Sequence, residues 1–459
     1  MSDKREFRVL SATAILGYGF PEESFERGMS RKPHLIAVDA GSTDPGPYYL
    51  GSGKSFTDRA FVKRDLTHMI KAGVSNSIPV VIGTAGGSGA KSHLDWCREI
   101  IEELAEENKL SFKMAVIPAD ISKERVLNAL NAGKIIPLAG VHELTHDHVV
   151  QSTNIVAQMG MEPIIEALKG GAQVVLAGRA YDPANFAALA VMEGFDEALA
   201  LHMGKILECA AIAATPGSGA DCALGILEED GFILEPLNPK RKFTCESTAA
   251  HTLYEKTDPY HLPGPGGELD LTGCNFTQID ENRVRVTGTR HVPTEKYYVK
   301  LEGARPIGYR TVSIAGSRDP IMISRIDSIL NEVNEQVESM ISKRSDVNGS
   351  VYYHVYGKNG VMGPLEPIPS SSVSSHELAI IIEAIGETKA AADTLCSVSR
   401  STLLHYGYEG RISTAGNLAF PFSPSDISMG TVYEFSIYHL MEMENDMFPV
   451  TYFQVGKED

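Results

Sequence analysis

Cysteine and positive charge are both scarce in this chain of 459 residues. Its six cysteines stand at positions 97, 209, 222, 245, 274 and 396, with no C-x-x-C pair and no Cys/His knuckle. That spacing excludes a zinc ribbon and an iron–sulfur cluster, and isolated thiols suit a reducing cytoplasm. Lys and Arg number 41 against 59 Asp and Glu, for a net charge of −18. Such a field repels phosphate backbones and anionic membrane surfaces, which excludes nucleic acid as a partner but not a small anion held by a few local cations. Long apolar runs are missing too. The least charged stretch, 209–227, contains Pro216, Gly217, Gly219 and Asp221 and does not read as a membrane span. Asp3 and Glu6 spoil the basic start that a signal peptide needs. The expected location is the cytoplasm. Neither G-x-G-x-x-G nor G-x-x-x-x-G-K-[ST] occurs, so NAD and P-loop nucleotide chemistry are not expected.

What is present is ordinary globular composition, 43% hydrophobic and 22% charged, enough for a large core. Val-, Ile- and Leu-rich runs at 7–15, 34–39, 78–82, 112–117 and 172–177 alternate with helical patterns starting near Arg59, Ala90, Ser122 and Asp147. This predicts an α/β fold with a parallel, Rossmann-like sheet in the N-terminal half. From about residue 228 Pro- and Gly-rich connections take over, and 276–287 reads as a hairpin around Asp280-Glu-Asn282. A second, α+β region with antiparallel strands is expected there, with helices at 321–343 and 376–404 and a strand at 350–356. The stretch 363–372, rich in Pro and Ser, is the expected joint. The predicted divisions are an α/β domain with Gly-rich ligand loops at 1–227, an α+β domain at 228–362, and a C-terminal segment at 363–459 packing back near the site. The apolar residues of 376–404 also suit a homo-oligomer interface, although packing within the chain explains them equally well.

Three loops follow strands of the expected parallel sheet, where ligands of open α/β sheets collect. Gly83-Thr-Ala-Gly-Gly-Ser-Gly89 can hold an anion on backbone N–H groups through Gly83, Thr84, Gly86, Gly87 and Ser88, or serve as a tight strand-to-helix turn. Asp39 and Asp44, in Val38-Asp-Ala-Gly-Ser-Thr-Asp-Pro-Gly-Pro47, can ligate a divalent ion such as Mg, with Asx-turn capping by Asp44 as the alternative. In Gly178-Arg-Ala-Tyr-Asp-Pro183, Arg179 suits a bidentate grip on a substrate carboxylate, and Asp182 suits a base or a helix N-cap. His142-Glu-Leu-Thr-His146 matches H-E-x-x-H, but the cap-type residues Thr145 and Asp147 start the helix after the motif, against a zinc site. A fourth group is C-terminal. Arg400, His405, Tyr408 and Asn417 bring cationic, acid–base, phenolic and amide groups together, or else form a hydrogen-bonded core.

The sequence resembles the acyclic terpene utilisation protein A family. The residues that carry the resemblance are Val38-Asp-Ala-Gly-Ser-Thr-Asp-Pro-Gly-Pro-Tyr-Tyr-Leu-Gly51, Ile82-Gly-Thr-Ala-Gly-Gly-Ser-Gly89, Gln158-Met-Gly-Met-Glu-Pro163, Ala177-Gly-Arg-Ala-Tyr-Asp-Pro183 and Leu418-Ala-Phe-Pro-Phe-Ser-Pro424. The resemblance implies an enzyme of bacterial carboxylate or acyl-CoA catabolism, working on branched, unsaturated acids and accompanied by a small partner subunit. It supplies no catalytic residue set to carry over. The expected activity is a hydro-lyase, without an iron–sulfur cluster, on a small unsaturated carboxylate of the mesaconate or citramalate kind. Asp39, Asp182, His405 and Tyr408 would move protons, and the Gly-rich loop, Arg179, Arg400 and Asn417 would bind substrate. Two other readings stand beside it: an acyl-CoA lyase or hydrolase, and a ligand-binding subunit of a two-component enzyme.

Overall fold

Alternate residues of a β-strand face opposite sides, so a strand buried on both faces needs apolar side chains at every position. Five segments of the chain come close to that pattern, polar only at Arg8, Ser11, Asp39 and Lys113, and lie side by side in a computed structural model, which describes residues 5–369 and 375–456. The strands of the first part of the chain are β1 (Phe7–Ser11), β2 (Leu35–Asp39), β3 (Val80–Gly83), β4 (Phe112–Ile117), β5 (Ile135–Pro137), β6 (Asn154–Ala157) and β7 (Val174–Ala177). They are followed by β8 (Ala223–Leu227), β9 (Gly231–Pro236), β10 (His261–Gly264), β11 (Gly267–Asp270), β12 (Asn275–Gln278), β13 (Val284–Thr287) and β14 (Arg290–Pro293). The rest are β15 (Tyr298–Ser317), β16 (Gly349–Tyr356), β17 (Leu378–Gly386), β18 (Asp426–Glu442) and β19 (Thr451–Val455).

The described chain forms two units, one of residues up to 305 together with those from 435 on, the other of residues 306–434. In the first, ten strands run in the order β12-β13-β9-β8-β1-β2-β3-β7-β4-β19. The middle five, from β1 to β4, are parallel, as expected for an α/β fold. Antiparallel strands extend both flanks. Leu35 and Ala37 of β2 enter one core while Ile36 and Val38 enter the other, and β3, β4 and β7 divide in the same way. The helices Arg59–Asn76 and Lys91–Asn108 cover one face with Leu66, Met69, Leu94 and Ile101. The helices Glu162–Lys169, Ala184–Met192 and Glu197–Leu207 cover the other. A small antiparallel sheet, β10-β11-β14, belongs to the same unit. There too the start of β15 pairs with β6, and the end of β18 pairs with β5.

In the second unit β17 pairs antiparallel with β16 and with residues 309–317 of β15. The helices Ile326–Ile341 and Lys389–His405 close an apolar core around Ile329, Val333, Ile380, Ile382 and Leu403.

Several expectations need correction. The texture change near residue 228 is not a boundary, because β8 and β9 form a hairpin across it within one sheet. The units break at 305 and 434 instead, and the stretch 363–372 lies inside the second unit, with residues 370–372 outside the described ones. Residues 376–404 are not one helix. Leu378–Gly386 alternates buried and exposed positions as a strand, and Thr388 caps the helix that follows. The helix expected at 321–343 is interrupted at Arg325. The chain leaves β1 after Ser11, where the Ala14 and Leu16 amides turn to the carbonyls of Gly219 and Asp39. Among the described residues no helix is long and apolar enough to cross a membrane.

Candidate functional site

Parallel pairing of β2, β3 and β7 brings three strand ends together in the first unit. The Ala40 amide donates to the Gly83 carbonyl, and the Thr84 amide donates to that of Gly178. Asp39, the Gly-rich loop and Arg179 are therefore neighbours, which joins three of the sequence-predicted loops at one sheet end. A cavity of about 640 Å³ lies in the same unit, lined by Arg179, Tyr181 and Asp182 after β7, by Ser42 and Asp44 after β2, and by Gln158 after β6. Its remaining polar wall is contributed by Lys205, Glu208, Glu255, Lys256, Glu268, Thr294, Tyr298, Lys300 and Tyr438.

Arg179 is 2% exposed, and its guanidinium is fully engaged by the protein. Nε donates to Glu302 Oε2 at 2.6 Å, Nη2 to Glu302 Oε1 at 3.4 Å, and Nη1 to Asp182 Oδ1 at 3.0 Å and to the Ala180 carbonyl at 2.9 Å. The bidentate face expected to grip a substrate carboxylate is thus occupied by Glu302. That carboxylate has no solvent exposure and also accepts from Thr43 Oγ1 and Lys300 Nζ, each at 2.8 Å. Burial raises the proton affinity of Glu302, but Arg179 and Lys300 outweigh it and hold the carboxyl at about 2. The same pairing raises the proton affinities of Arg179 and Lys300 against their desolvation.

A second buried pair sits at the end of the helix Glu197–Leu207, where Lys205 Nζ donates to Glu208 Oε1 at 2.5 Å. Glu208 Oε2 is buried and has no hydrogen-bond partner among the described residues. Burial first, and then the charge of Asp182, push the Glu208 carboxyl up to about 7 against the pull of Lys205. Asp39 is also pushed well above the carboxylate range, by burial, then by Asp182 and Glu208. Its Oδ1 likewise has no partner among the described residues, and Asp39 does not line the cavity. It acts on the cavity through charge. Burial and the neighbouring negative charge thus favour the protonated forms of Asp39 and Glu208 at this sheet end.

The other predicted residues take different places. Gly83, Thr84, Gly86, Gly87 and Ser88 are buried, and none of them lines the cavity. Packing accounts for the glycines: a Cβ at Gly83 would meet Asn185 Nδ2 at 1.9 Å, and one at Gly87 would meet the Phe56 ring at 2.6 Å. Asp182 does not cap the helix Ala184–Met192, which has no side-chain cap. Asp44 is exposed, and the Ser42 hydroxyl accepts from its amide at 3.1 Å, so the turn is closed by Ser42 rather than by Asp44. Among the described residues no three His, Cys, Asp or Glu side chains are grouped to hold a metal ion. The helix after His142-Glu-Leu-Thr starts at His146 with Thr145 as its cap, as expected.

Arg400, His405, Tyr408 and Asn417 belong to the second unit. Arg400 grips Asp426 with two hydrogen bonds at 2.8 and 3.0 Å, and the Tyr408 hydroxyl donates to Asp319. Asn417 Nδ2 satisfies the Leu403 and Tyr406 carbonyls at the end of the helix Lys389–His405, while His405 is exposed on its last turn. Structural hydrogen bonding accounts for Arg400, Tyr408 and Asn417.

Sequence reading missed Lys205, Glu208, Lys256, Lys300 and Glu302. All but Lys256, which sits in the polar run Glu255-Lys-Thr-Asp258, stand in a predominantly apolar segment or beside one, as Lys205 does in Glu-Ala-Leu-Ala-Leu-His-Met-Gly-Lys-Ile-Leu and Glu302 in Val299-Lys-Leu-Glu-Gly. A lone charge within such a run is the signal that was available, because it must find a buried partner.

No curated protein and no solved structure matches the chain. The profile of the acyclic terpene utilisation family protein AtuA matches residues 53–417, which is most of the chain, from before β3 to the Asn417 region of the second unit. The residues that pair around Arg179 and Glu208 lie inside that span, and the chain belongs to the acyclic terpene utilisation family AtuA.

Proposed function

We propose that this protein is a hydro-lyase, a hydratase or dehydratase, for a small branched or unsaturated carboxylate of the mesaconate or citramalate kind. The observation that carries the reading is the Lys205–Glu208 pair on the cavity wall beside Asp182. Removing water across a carbon–carbon bond needs one group that takes a proton next to a carboxylate and another that gives a proton to the departing hydroxyl. Asp182, held by Arg179, serves as the base. Glu208, protonated to a large extent at neutral pH, serves as the acid. Lys205, Lys256 and Lys300 supply positive charge for the substrate carboxylate and for the enediolate that forms as the proton leaves. The six cysteines are all free, which fits a cytoplasmic setting.

The test follows the alkene absorbance of short unsaturated and hydroxylated dicarboxylates with the purified protein, with and without Mg. Turnover in either direction supports the reading, and its absence across the series overturns it. In the Asp182→Asn variant kcat should fall by about 10²-fold or more, the range for loss of a general base, while the melting temperature stays close to wild type because this side chain caps no helix, the Asn amide oxygen can still accept from Arg179 Nη1, and Arg179 keeps Glu302. A second reading is an acyl-CoA lyase or hydrolase of acyclic terpene breakdown, for which the family's name supports the terpene part alone. Thermal stabilisation by CoA thioesters but by no free acid would select it. Activity that appears only when a small partner protein is added would select the two-component reading.

A further inference from the structure

The cavity cations are not equivalent. Lys205 pairs with Glu208, Lys300 with Glu302, and Arg179 with Glu302 and Asp182. Lys256 lines the same cavity with no carboxylate at ion-pair distance among the described residues. Its named neighbour is the Tyr181 ring, whose centre is 5.9 Å from Nζ. Four charges bear on the Lys256 ammonium: Lys205 and Lys300 repel it, while Glu208 and Asp182 attract it. An amine set against an aromatic ring, without a counter-ion and beside other ammonium groups, is in the environment that turns lysine into a nucleophile. We propose that Lys256 forms an imine with the substrate, and that the substrates are small acids carrying a carbonyl group next to the carboxylate. This rests on the cavity being the active site and goes beyond the hydro-lyase reading, because acids of the mesaconate or citramalate kind carry no such carbonyl and the imine requires a 2-oxo acid in their place.

Burial, then the charge of Lys205, pull Lys256 below the ordinary lysine range, which favours the neutral amine. In the step itself Nζ adds to the carbonyl carbon and a C–N bond forms. The carbonyl oxygen takes up the two amine hydrogens and leaves as water, so the products are one imine and one water, with nothing oxidised or reduced. Glu208, whose Oε2 has no partner among the described residues, can carry a proton to the departing oxygen. Once protonated, the imine draws electrons from the neighbouring carbon. That makes its C–H bond acidic enough for Asp182 to break, and loss of a hydroxyl one carbon further on completes a dehydration.

The experiment treats the full-length protein with pyruvate and sodium cyanoborohydride, which reduces an imine to a stable amine, followed by intact-mass and peptide mass spectrometry. The expected result is one reduced pyruvyl group per chain, on the peptide that contains Lys256, and its loss in Lys256→Arg. No adduct, an adduct spread over surface lysines, or one undiminished in Lys256→Arg would overturn the proposal. Should the arginine variant fail to fold, the peptide map of the wild-type adduct decides alone. Trapping at Lys256 without turnover of any hydroxy acid would retain the imine and remove the hydro-lyase. Dehydration by Lys256→Arg at the wild-type rate would do the reverse.

Discussion

Glu302 and Asp39 are both carboxyl groups buried in the first unit, and their surroundings drive them in opposite directions. Glu302 is ionised by Arg179 and Lys300 down to about 2. A carboxyl lowered in the folded state adds stability that is present above its ordinary range near 4.5 and is lost as pH falls through that range toward 2. Replacing it with Gln leaves Arg179 buried without its main partner, a change expected to cost about 3–5 kcal/mol; the midpoint of urea unfolding at pH 7 measures it. Asp39 is raised, so the unfolded chain loses this proton first, and stability drops as pH rises above about 3.8. Asp39→Asn removes that loss. It should raise the melting temperature by roughly 1–2 °C at pH 7, equivalent to about 1 kcal/mol in a chain of this size, and by nothing near pH 3. If it also slows turnover, Asp39 is a residue kept for function at the expense of stability.

The Gly-rich connection between β3 and the helix Lys91–Asn108 acts as a packing element. Gly89 has φ +69°, and a Cβ there would lie 2.1 Å from the Arg179 amide nitrogen. Gly89→Ala must push the β7 end away, so a loss of about 1–3 kcal/mol from overpacking is expected, together with reduced turnover as Arg179 and Asp182 shift; thermal melting and kcat are measured side by side. This loop also marks the limit of what a sequence discloses. Its composition and its place after an apolar run made the strand-to-helix turn readable, but the distinction between gripping a ligand and letting two backbones touch depends on Gly178 and Arg179, about ninety residues away. The parallel strands were readable because each is apolar on both faces. The strand β17 was not, since Leu-Ala-Ile-Ile-Ile-Glu-Ala-Ile runs into an Ala-rich helix and a short apolar stretch carries no decisive period. Arg179 and Asp182 stood out beside a glycine at a strand end. Lys300 and Glu302 did not, because their partners come from other elements and only folding brings them together.

At the scale of the whole chain, a cavity lined by Arg179, Lys205, Lys256 and Lys300 together with five acidic side chains is carried by a molecule with a net charge of −18. An anionic substrate is repelled at long range and attracted only close to the lysines. Added salt screens the long-range part, with a Debye length of about 10 Å at 0.1 M, so kcat/KM for a dicarboxylate should rise as NaCl increases from a few millimolar toward that concentration. A monotonic fall would mean that the local lysine field dominates the approach. The ten-stranded sheet has a further consequence, for the order in which the protein is made. Val116 of β4 pairs with Thr451 of β19, with the entire second unit between them in the chain. Arg98 and Lys113 meanwhile lie over the rings of Phe453 and Tyr452. Until the ribosome has produced β19, the outer edge of β4 has bare amides and carbonyls, open to pairing with any extended chain nearby. The nascent chain thus carries an unpaired strand edge from the making of β4 until β19 emerges, across the synthesis of the whole second unit.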